Sequence, residues 1–312
     1  MTVYPGPLRP GGHVRVVAPS GSPKDESDVD AALQVLRNFG FRVSAGESVF
    51  ATRHGYLAAQ DTVRADDLNS AFADPSVDAI VCLKGGYGTP RILDMLDYHC
   101  IRANPKVFVG YSDITALHLA FLRHAGLPTI HGFMAMSFTG EIDKKSQERW
   151  VQVVTADSPV GDLPIDDADT LQTVCPGVVD GRLVGGNLSL VAALVGTDYA
   201  LEPDGAIIFL EDVGEEPYRI DRMLNQLRLA GYFSRCSGIV LGSWNGCTPD
   251  EPDRSISLQR VFEDYFGALG KPVLAGFPAG HGTPALTLPL GVRARLDADT
   301  GTLSIRESVT GT

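Results

Sequence analysis

The chain has 312 residues, 44% of them hydrophobic and 21% charged, with a formal net charge of −12. That length allows one large domain or two moderate ones, and the acidic balance without a basic run excludes a partner held through its phosphate backbone. No stretch nears the ~18 uninterrupted apolar residues of a membrane span, and "MTVYPGPLRPGGHVRVVAPSGS" lacks the charged start and apolar core of a secretory signal.

In chain order, "VRVVAP" (14–19) is a short apolar run closed by Pro, and "SDVDAALQVLRNFG" (27–40) has helical spacing and a closing Gly. The strand "FRVSA", a helix near 61–73 and the strand "VDAIVCL" (77–83) follow. A helix after "GGYGTPR", the strand "KVFVG", a helix after Ser112 and the strand "PTIHG" (128–132) complete the first half. This alternation predicts an α/β fold with a doubly wound, mostly parallel sheet. From about 140 to 180 the pattern weakens, and "TADSPVGDLPIDDADT" reads as a connector. "GRLVGGNLSLVAALVG" (181–196) opens a second unit. It continues with a strand at 205–213, a helix at 218–231, a strand at 237–244 and short strands around a turn at Asp299-Thr300-Gly301. The second domain is therefore expected to be mixed α+β.

The cysteines, Cys82, Cys100, Cys175, Cys236 and Cys247, are odd in number and lack C-x-x-C spacing. A disulfide scaffold is not expected, and a reducing cytoplasm is the simpler setting. No H-E-x-x-H and no histidine pair four apart points to a metal, and none is expected. "GGYGTPR" lacks the G-K-[ST] ending of a phosphate-binding loop, so no nucleotide cofactor is expected either.

In "VFVGYSDITALHLAFL" (107–122), only four residues separate a strand from a helix, and Ser112 sits among them. It has two readings. It can cap the helix, or it can sit on a tight elbow that exposes its Oγ as a nucleophile and leaves N–H groups for an oxyanion. The pattern G-x-S-x-G is not met, because Ile114 stands at the second glycine. A serine nucleophile needs a base. Of seven histidines, His118 lies among apolar residues and reads as core, whereas His281 stands between Gly280 and Gly282 on a loop. Lys84, in a Ser–Lys dyad, is the rival base. For an orienting acid, "IIFLEDV" carries Glu211 and Asp212 at the carboxyl end of a buried strand, where an acid needs a partner or caps the next helix.

"GYSDITAL", "LEDVGEEPYRIDRMLNQL", "GRLVGGNLSL", "KGGYGTPRIL" and "GHGTPALTLPLG" together resemble the LD-carboxypeptidase family of serine peptidases. That family includes muramoyltetrapeptide carboxypeptidases and microcin C immunity peptidases. The resemblance implies an N-terminal α/β domain (1–145) carrying the nucleophile, a connector (146–180), and a C-terminal α+β domain (181–312) carrying the other two triad members. It places the serine of G-[YH]-S-D at Ser112, the first acid of L-E-[DE] at Glu211, and the histidine at His281. It also implies an oxyanion hole from the N–H of Asp113 and of Gly85 or Gly86. Lys84 replaces the family's usual arginine, which keeps the charge and loses the planar fork. "IHGFM" departs from the frequent H-G-P.

The expected function is a serine L,D-carboxypeptidase that releases D-alanine from a murein tetrapeptide in the cytoplasm, as a homodimer, without nucleic acid or membrane. Lys84, Tyr87, Tyr218, Arg219 and Arg222 are candidates for contacting that peptide, the arginines for its carboxylate. Their alternative is a solvated helix face or packing. The rival function is cleavage of an aminoacyl-nucleotide amide, as in microcin C immunity. The connector carries no aromatic for base stacking, although Trp150 just precedes it. A catalytically silent binding protein is the third possibility, and the presence of a complete triad counts against it.

Overall fold

A computed structural model describes residues 2–23, 26–51, 54–140, 142–167 and 170–311. The chain forms two compact units. The first is Met1–Ser158 with Thr287–Leu290 and Ser308–Thr312, and the second is Pro159–Leu286 with Gly291–Glu307.

In the first unit the elements run β1 (His13–Val17), α1 (Glu26–Asn38), β2 (Arg42–Ala45), α2 (Glu47–Phe50), α3 (Asp61–Ala73), β3 (Ala79–Cys82), α4 (Tyr98–Ala103), β4 (Val107–Gly110), α5 (Thr115–Ala120), β5 (Thr129–His131) and α6 (Lys144–Val154). Strands "AIVC" and "VFVG" are buried at every position, as parallel strands covered on both faces must be. The five strands pair in parallel in the order β2-β1-β3-β4-β5. A sixth comes from far down the chain, Leu288–Leu290 (β12 in chain order), and pairs antiparallel with β5. The 2-1-3-4-5 order reverses direction between β1 and β3, and sheets of this kind bind ligands beyond the carboxyl ends of their strands at that point. The loops there are 18–22 and 83–88.

Two local expectations change. The helix after "GGYGTPR" is a 3-10 segment, Thr89–Met95, with Pro90 in its first turn. The helix after Ser112 is composite. A 3-10 turn at Ser112–Ile114 leads into α5, and a π-helical turn, Phe121–Ala125, ends on Gly126 in the left-handed region.

The second unit contains β6 (Gly161–Asp162), β7 (Gln172–Cys175), β8 (Val178–Asn187), α7 (Leu188–Ala193), β9 (Ala206–Val213), α8 (Pro217–Leu229), α9 (Tyr232–Arg235), β10 (Gly238–Asn245), α10 (Leu258–Phe266), β11 (Val273–Ala275), β13 (Arg293–Asp297) and β14 (Thr302–Ile305). Its sheet has the order β6-β14-β13-β8-β9-β10-β11-β7. The central four strands are parallel and the flanking ones antiparallel, so the unit is mixed α and β.

The boundaries of the units differ from those read in the sequence. The stretch 146–180 is not a bare connector. It begins inside α6, which the Asp143 side chain caps by accepting from Ser146 N–H at 2.9 Å, and it ends with β6, β7 and the start of β8. Its Ser146, Trp150, Val153 and Val154 are buried on one face of α6, a helical spacing that the polar run between them obscures. Among the described residues, no helix is long and apolar enough to cross a membrane.

Candidate active site

Ser112 has φ of +64°, and among the described residues no other non-glycine has positive φ. That conformation costs about 1–3 kcal/mol and persists only where the surroundings impose it. It also removes the capping reading, because a cap residue has extended dihedrals, and here Tyr111 occupies that place with φ −155°. Gly110 explains the departure from G-x-S-x-G. A Cβ at Gly110 would stand 2.7 Å from the Ile114 side chain, so the chain can fold back over a bulky Ile114 because its first glycine is bare.

The loop after β3 lies against this elbow. A Cβ on Gly85 would come within 3.0 Å of Ser112 Cβ and 3.1 Å of its Oγ. Gly86 has φ of +124°. Lys84 is half-buried and its Nζ donates to Ser22 O at 3.1 Å. Tyr87 is exposed and meets the exposed Tyr56 ring edge-on, centroids 5.6 Å apart. Asp113 is buried, and its Oδ2 accepts from Ser20 Oγ at 2.6 Å and from Thr89 N–H at 2.9 Å. Burial pushes its carboxyl above the usual range, against those hydrogen bonds.

His118, read in the sequence as core, is buried, and its Nε2–H donates to Gly110 O at 2.9 Å, directly before the elbow. Burial holds its pKa down at about 4, against the bond to Gly110 O. Below the unfolded value near 6.5 the unfolded chain gains a proton that the folded one refuses until about pH 4. Stability attributable to His118 is therefore complete above about pH 6.5 and falls as pH drops toward about 4, by about 3 kcal/mol in all. Urea titrations across that range are expected to show a shallower loss for His118→Gln, which keeps a donor but does not ionise. An identical pH profile in both proteins would refute the assignment.

In the second unit, Glu211 sits near the carboxyl end of β9 and is fully buried. Its Oε2 accepts from His281 Nδ1–H at 2.7 Å and from His281 backbone N–H at 3.0 Å. The carboxylate therefore fixes the tautomer with the proton on Nδ1 and the lone pair on Nε2. Gly280 makes the approach possible, since with φ of +110° a Cβ there would lie 2.5 Å from Glu211 Oε2. Asp212 projects to the opposite face. It accepts from Asn187 Nδ2 at 2.8 Å, Ser189 N–H at 2.9 Å and Ser189 Oγ at 2.7 Å. The reading of an acid that needs a partner fits Glu211, which holds a histidine; neither acid caps the next helix, α8, whose N-terminus has no side-chain cap, and Asp212 instead pins the start of the preceding helix, α7.

Tyr218, Arg219 and Arg222 are exposed along α8. Arg219 Nε donates to Tyr218 Oη at 3.1 Å, and its guanidinium pairs with Glu215 at 3.6 Å. Tyr218 borders a cavity of about 780 Å³ lined by Glu216, Asp221, Asp250, Glu251 and Asp253, with Arg254. Such a wall repels a carboxylate. Among the described residues, no group of three or more His, Cys, Asp or Glu could hold a metal ion.

The model of the LD-carboxypeptidase N-terminal domain matches residues 14–132, and that of the C-terminal domain matches residues 180–296. The chain belongs to the LD-carboxypeptidase family. As a member it is a hydrolase, a peptidase of the carboxypeptidase kind. A probable murein peptide carboxypeptidase of Bacillus subtilis is 39% identical to this LD-carboxypeptidase, over 98% of this chain and 95% of its own. The murein tetrapeptide carboxypeptidase of Pseudomonas aeruginosa is 34% identical, over 92% of this chain and 94% of its own. Among solved structures, the muramoyltetrapeptide carboxypeptidase of Oxalobacter formigenes superposes with a TM-score of 0.84 at 31% identity, covering 96% of this chain and 100% of its own. The microcin C7 self-immunity protein in complex with aspartyl sulfamoyl adenosine gives 0.91 at 25% identity, covering 99% and 100%.

Proposed function

We propose that this LD-carboxypeptidase releases C-terminal D-alanine from a murein tetrapeptide through Ser112, His281 and Glu211. The observation that carries the reading is the bond of buried Glu211 to half-buried His281 at 2.7 Å, which leaves Nε2 as the basic nitrogen. In the working enzyme His281 Nε2 takes the proton of Ser112 Oγ, which attacks the peptide carbonyl. The N–H of Asp113 and that of Gly85 or Gly86 hold the resulting oxyanion. His281 then protonates the departing amine of D-alanine, and water repeats the sequence on the acyl-enzyme. The positive φ of Ser112 and the closeness of Gly85 support these roles. Lys84 is the weaker base because its ammonium is held on Ser22 O. Within this reading Tyr87 is the aromatic beside the reacting carbonyl. Arg219, already paired with Glu215, is not the carboxylate clamp. The same reading has a homodimer acting in the cytoplasm on recovered wall peptides, with no cofactor.

Cleavage of an aminoacyl-nucleotide amide is the second reading, favoured by the solved neighbour that holds aspartyl sulfamoyl adenosine. Against it, Trp150 is fully buried, with its Nε1–H donating to Phe133 O at 3.0 Å, so it offers no face to a base. Incubating the protein with murein tetrapeptide and, separately, with aspartyl sulfamoyl adenosine separates the two. Free D-alanine from the first supports the proposal. Free aspartate from the second alone replaces it, and release from neither ends both.

A further inference from the structure

We propose that Ser20, Asp113 and Arg64 form a buried brace that positions the 85–89 loop over Ser112 and so sets the rate of the tetrahedral step. The inference rests on the reading of Ser112 as nucleophile and of that loop as an oxyanion donor. Two loops end at the elbow, one after β1 and one after β3, and three polar side chains tie them together from beneath. Ser20, Thr89 and Arg64 are each 0% exposed and Asp113 is 1% exposed. Each is paired through at least one polar atom, as burial of such groups requires, while Arg64 Nε and Asp113 Oδ1 are buried without a hydrogen-bond partner among the described residues.

The ties converge. Asp113 Oδ2 takes the Ser20 hydroxyl from the first loop and the Thr89 N–H from the end of the second. Thr89 Oγ1 donates in return to Asp113 O, and Gly21 N–H donates to Gly85 O at 3.3 Å. Arg64, reaching in from α3, donates through Nη1 to Pro19 O and, at 3.0 Å, to Gly88 O, one carbonyl from each loop. Its Nη2 is paired with Asp61, whose carboxylate also takes Arg91 at 2.7 Å. The two loops touch backbone to backbone, and a Cβ on Gly21 would stand 2.9 Å from Gly85 O. The far end of the glycine loop is thus held by charge-assisted bonds at Gly88 and Thr89, its near end by the Gly21–Gly85 backbone bond, and the nucleophile's own neighbour is the hub. A shift in Ser20 or Arg64 would move the Gly85 and Gly86 N–H groups relative to Ser112 without touching a bound peptide. Both are therefore positioning residues.

An alkyl fluorophosphonate tests this without knowledge of the substrate. In the labelling reaction Ser112 Oγ bonds to phosphorus, the P–F bond breaks, fluoride leaves, the hydroxyl proton passes to His281, and the phosphoryl oxygen occupies the oxyanion position. The full chain, Ser112→Ala, Ser20→Ala and Arg64→Lys are compared by mass spectrometry. The saturating labelling rate and the half-saturating concentration are read separately, with melting midpoints alongside. Ser20→Ala and Arg64→Lys are expected to lower the saturating rate about tenfold to a hundredfold, less than outright loss of an oxyanion donor, with half-saturation unmoved. A merely structural role would lower the final labelled fraction and leave the rate of the folded molecules intact. Wild-type rates in both variants, or slowing that appears only as a higher half-saturating concentration, would overturn the brace alone. Failure of the wild-type chain to label at Ser112 would overturn the nucleophile reading and the brace with it.

Discussion

Glu211→Gln is expected to cut kcat on the tetrapeptide about 10⁴-fold while the protein stays folded, the size of effect seen when a triad acid becomes its amide. The bond lengths explain both halves. Oε2 alone receives the two donors of His281, and Oε1 is buried with no hydrogen-bond partner among the described residues. A glutamine can still accept from the His281 backbone N–H, so the loop keeps its anchor. It loses the charge that stabilises the imidazolium when Nε2 takes the proton, which is the catalytic half of the effect. Ser112→Ala is expected to fall to background in the same assay. Kinetics and thermal melts on the three proteins decide the matter. A Glu211→Gln enzyme within tenfold of wild type would remove the carboxylate from the mechanism.

Gly185→Ala carries the largest expected loss of stability, more than about 3 kcal/mol and roughly 10 °C in melting temperature. Gly185 has φ of +130° in β8, opposite Phe209 of β9. A Cβ there would stand 2.0 Å from Phe209 O. That carbonyl cannot retreat, because β9 is paired on its other side with β10. The strand that would have to move is the one that carries Glu211. Gly196→Ala is the control: φ is +87° with nothing within 4 Å of the added carbon, so only the dihedral cost of about 1–2 kcal/mol applies. Circular-dichroism melts of both variants give the comparison, and equal midpoints would contradict the clash.

The α/β alternation of the first unit was legible because buried parallel strands read as unbroken apolar runs, as in "AIVC" and "VFVG", and because Gly and Pro close the elements. Helix α3 falls on the predicted 61–73. Ser112, Glu211 and His281, the proposed triad, stood out in the sequence for a different reason. Each is a reactive side chain at a strand end or between glycines, and the glycines turn out to be the positions where a Cβ cannot fit. Arg64 was not legible as a brace, since an arginine in "DTVRADDL" reads as a solvated face. Its one signal is its place four residues before the buried Leu68, on the same stripe. Ser20 carries no signal in the sequence beyond following Pro19, and the strand "LPL" was too short to announce a partner more than 150 residues away. The arginines of α8 were chosen by charge alone, and the acidic cavity beside Tyr218 takes Asp250, Glu251 and Asp253 from a segment distant in sequence.

The return of β12 to the first sheet has a consequence for anyone wishing to divide the molecule. A fragment ending at Ser158 would contain every reactive group of its own lobe, yet it would leave the outer hydrogen-bonding rim of β5 bare, because Leu288–Leu290 normally covers it. Unprotected rims of this kind recruit foreign strands and precipitate. The last residues are bound into the same lobe, with Gly311 N–H on Pro5 O and Thr310 Oγ1 on Ala156 O. During synthesis, the N-terminal lobe therefore waits for the far end of the polypeptide before its sheet can close, and neither lobe is a detachable cassette.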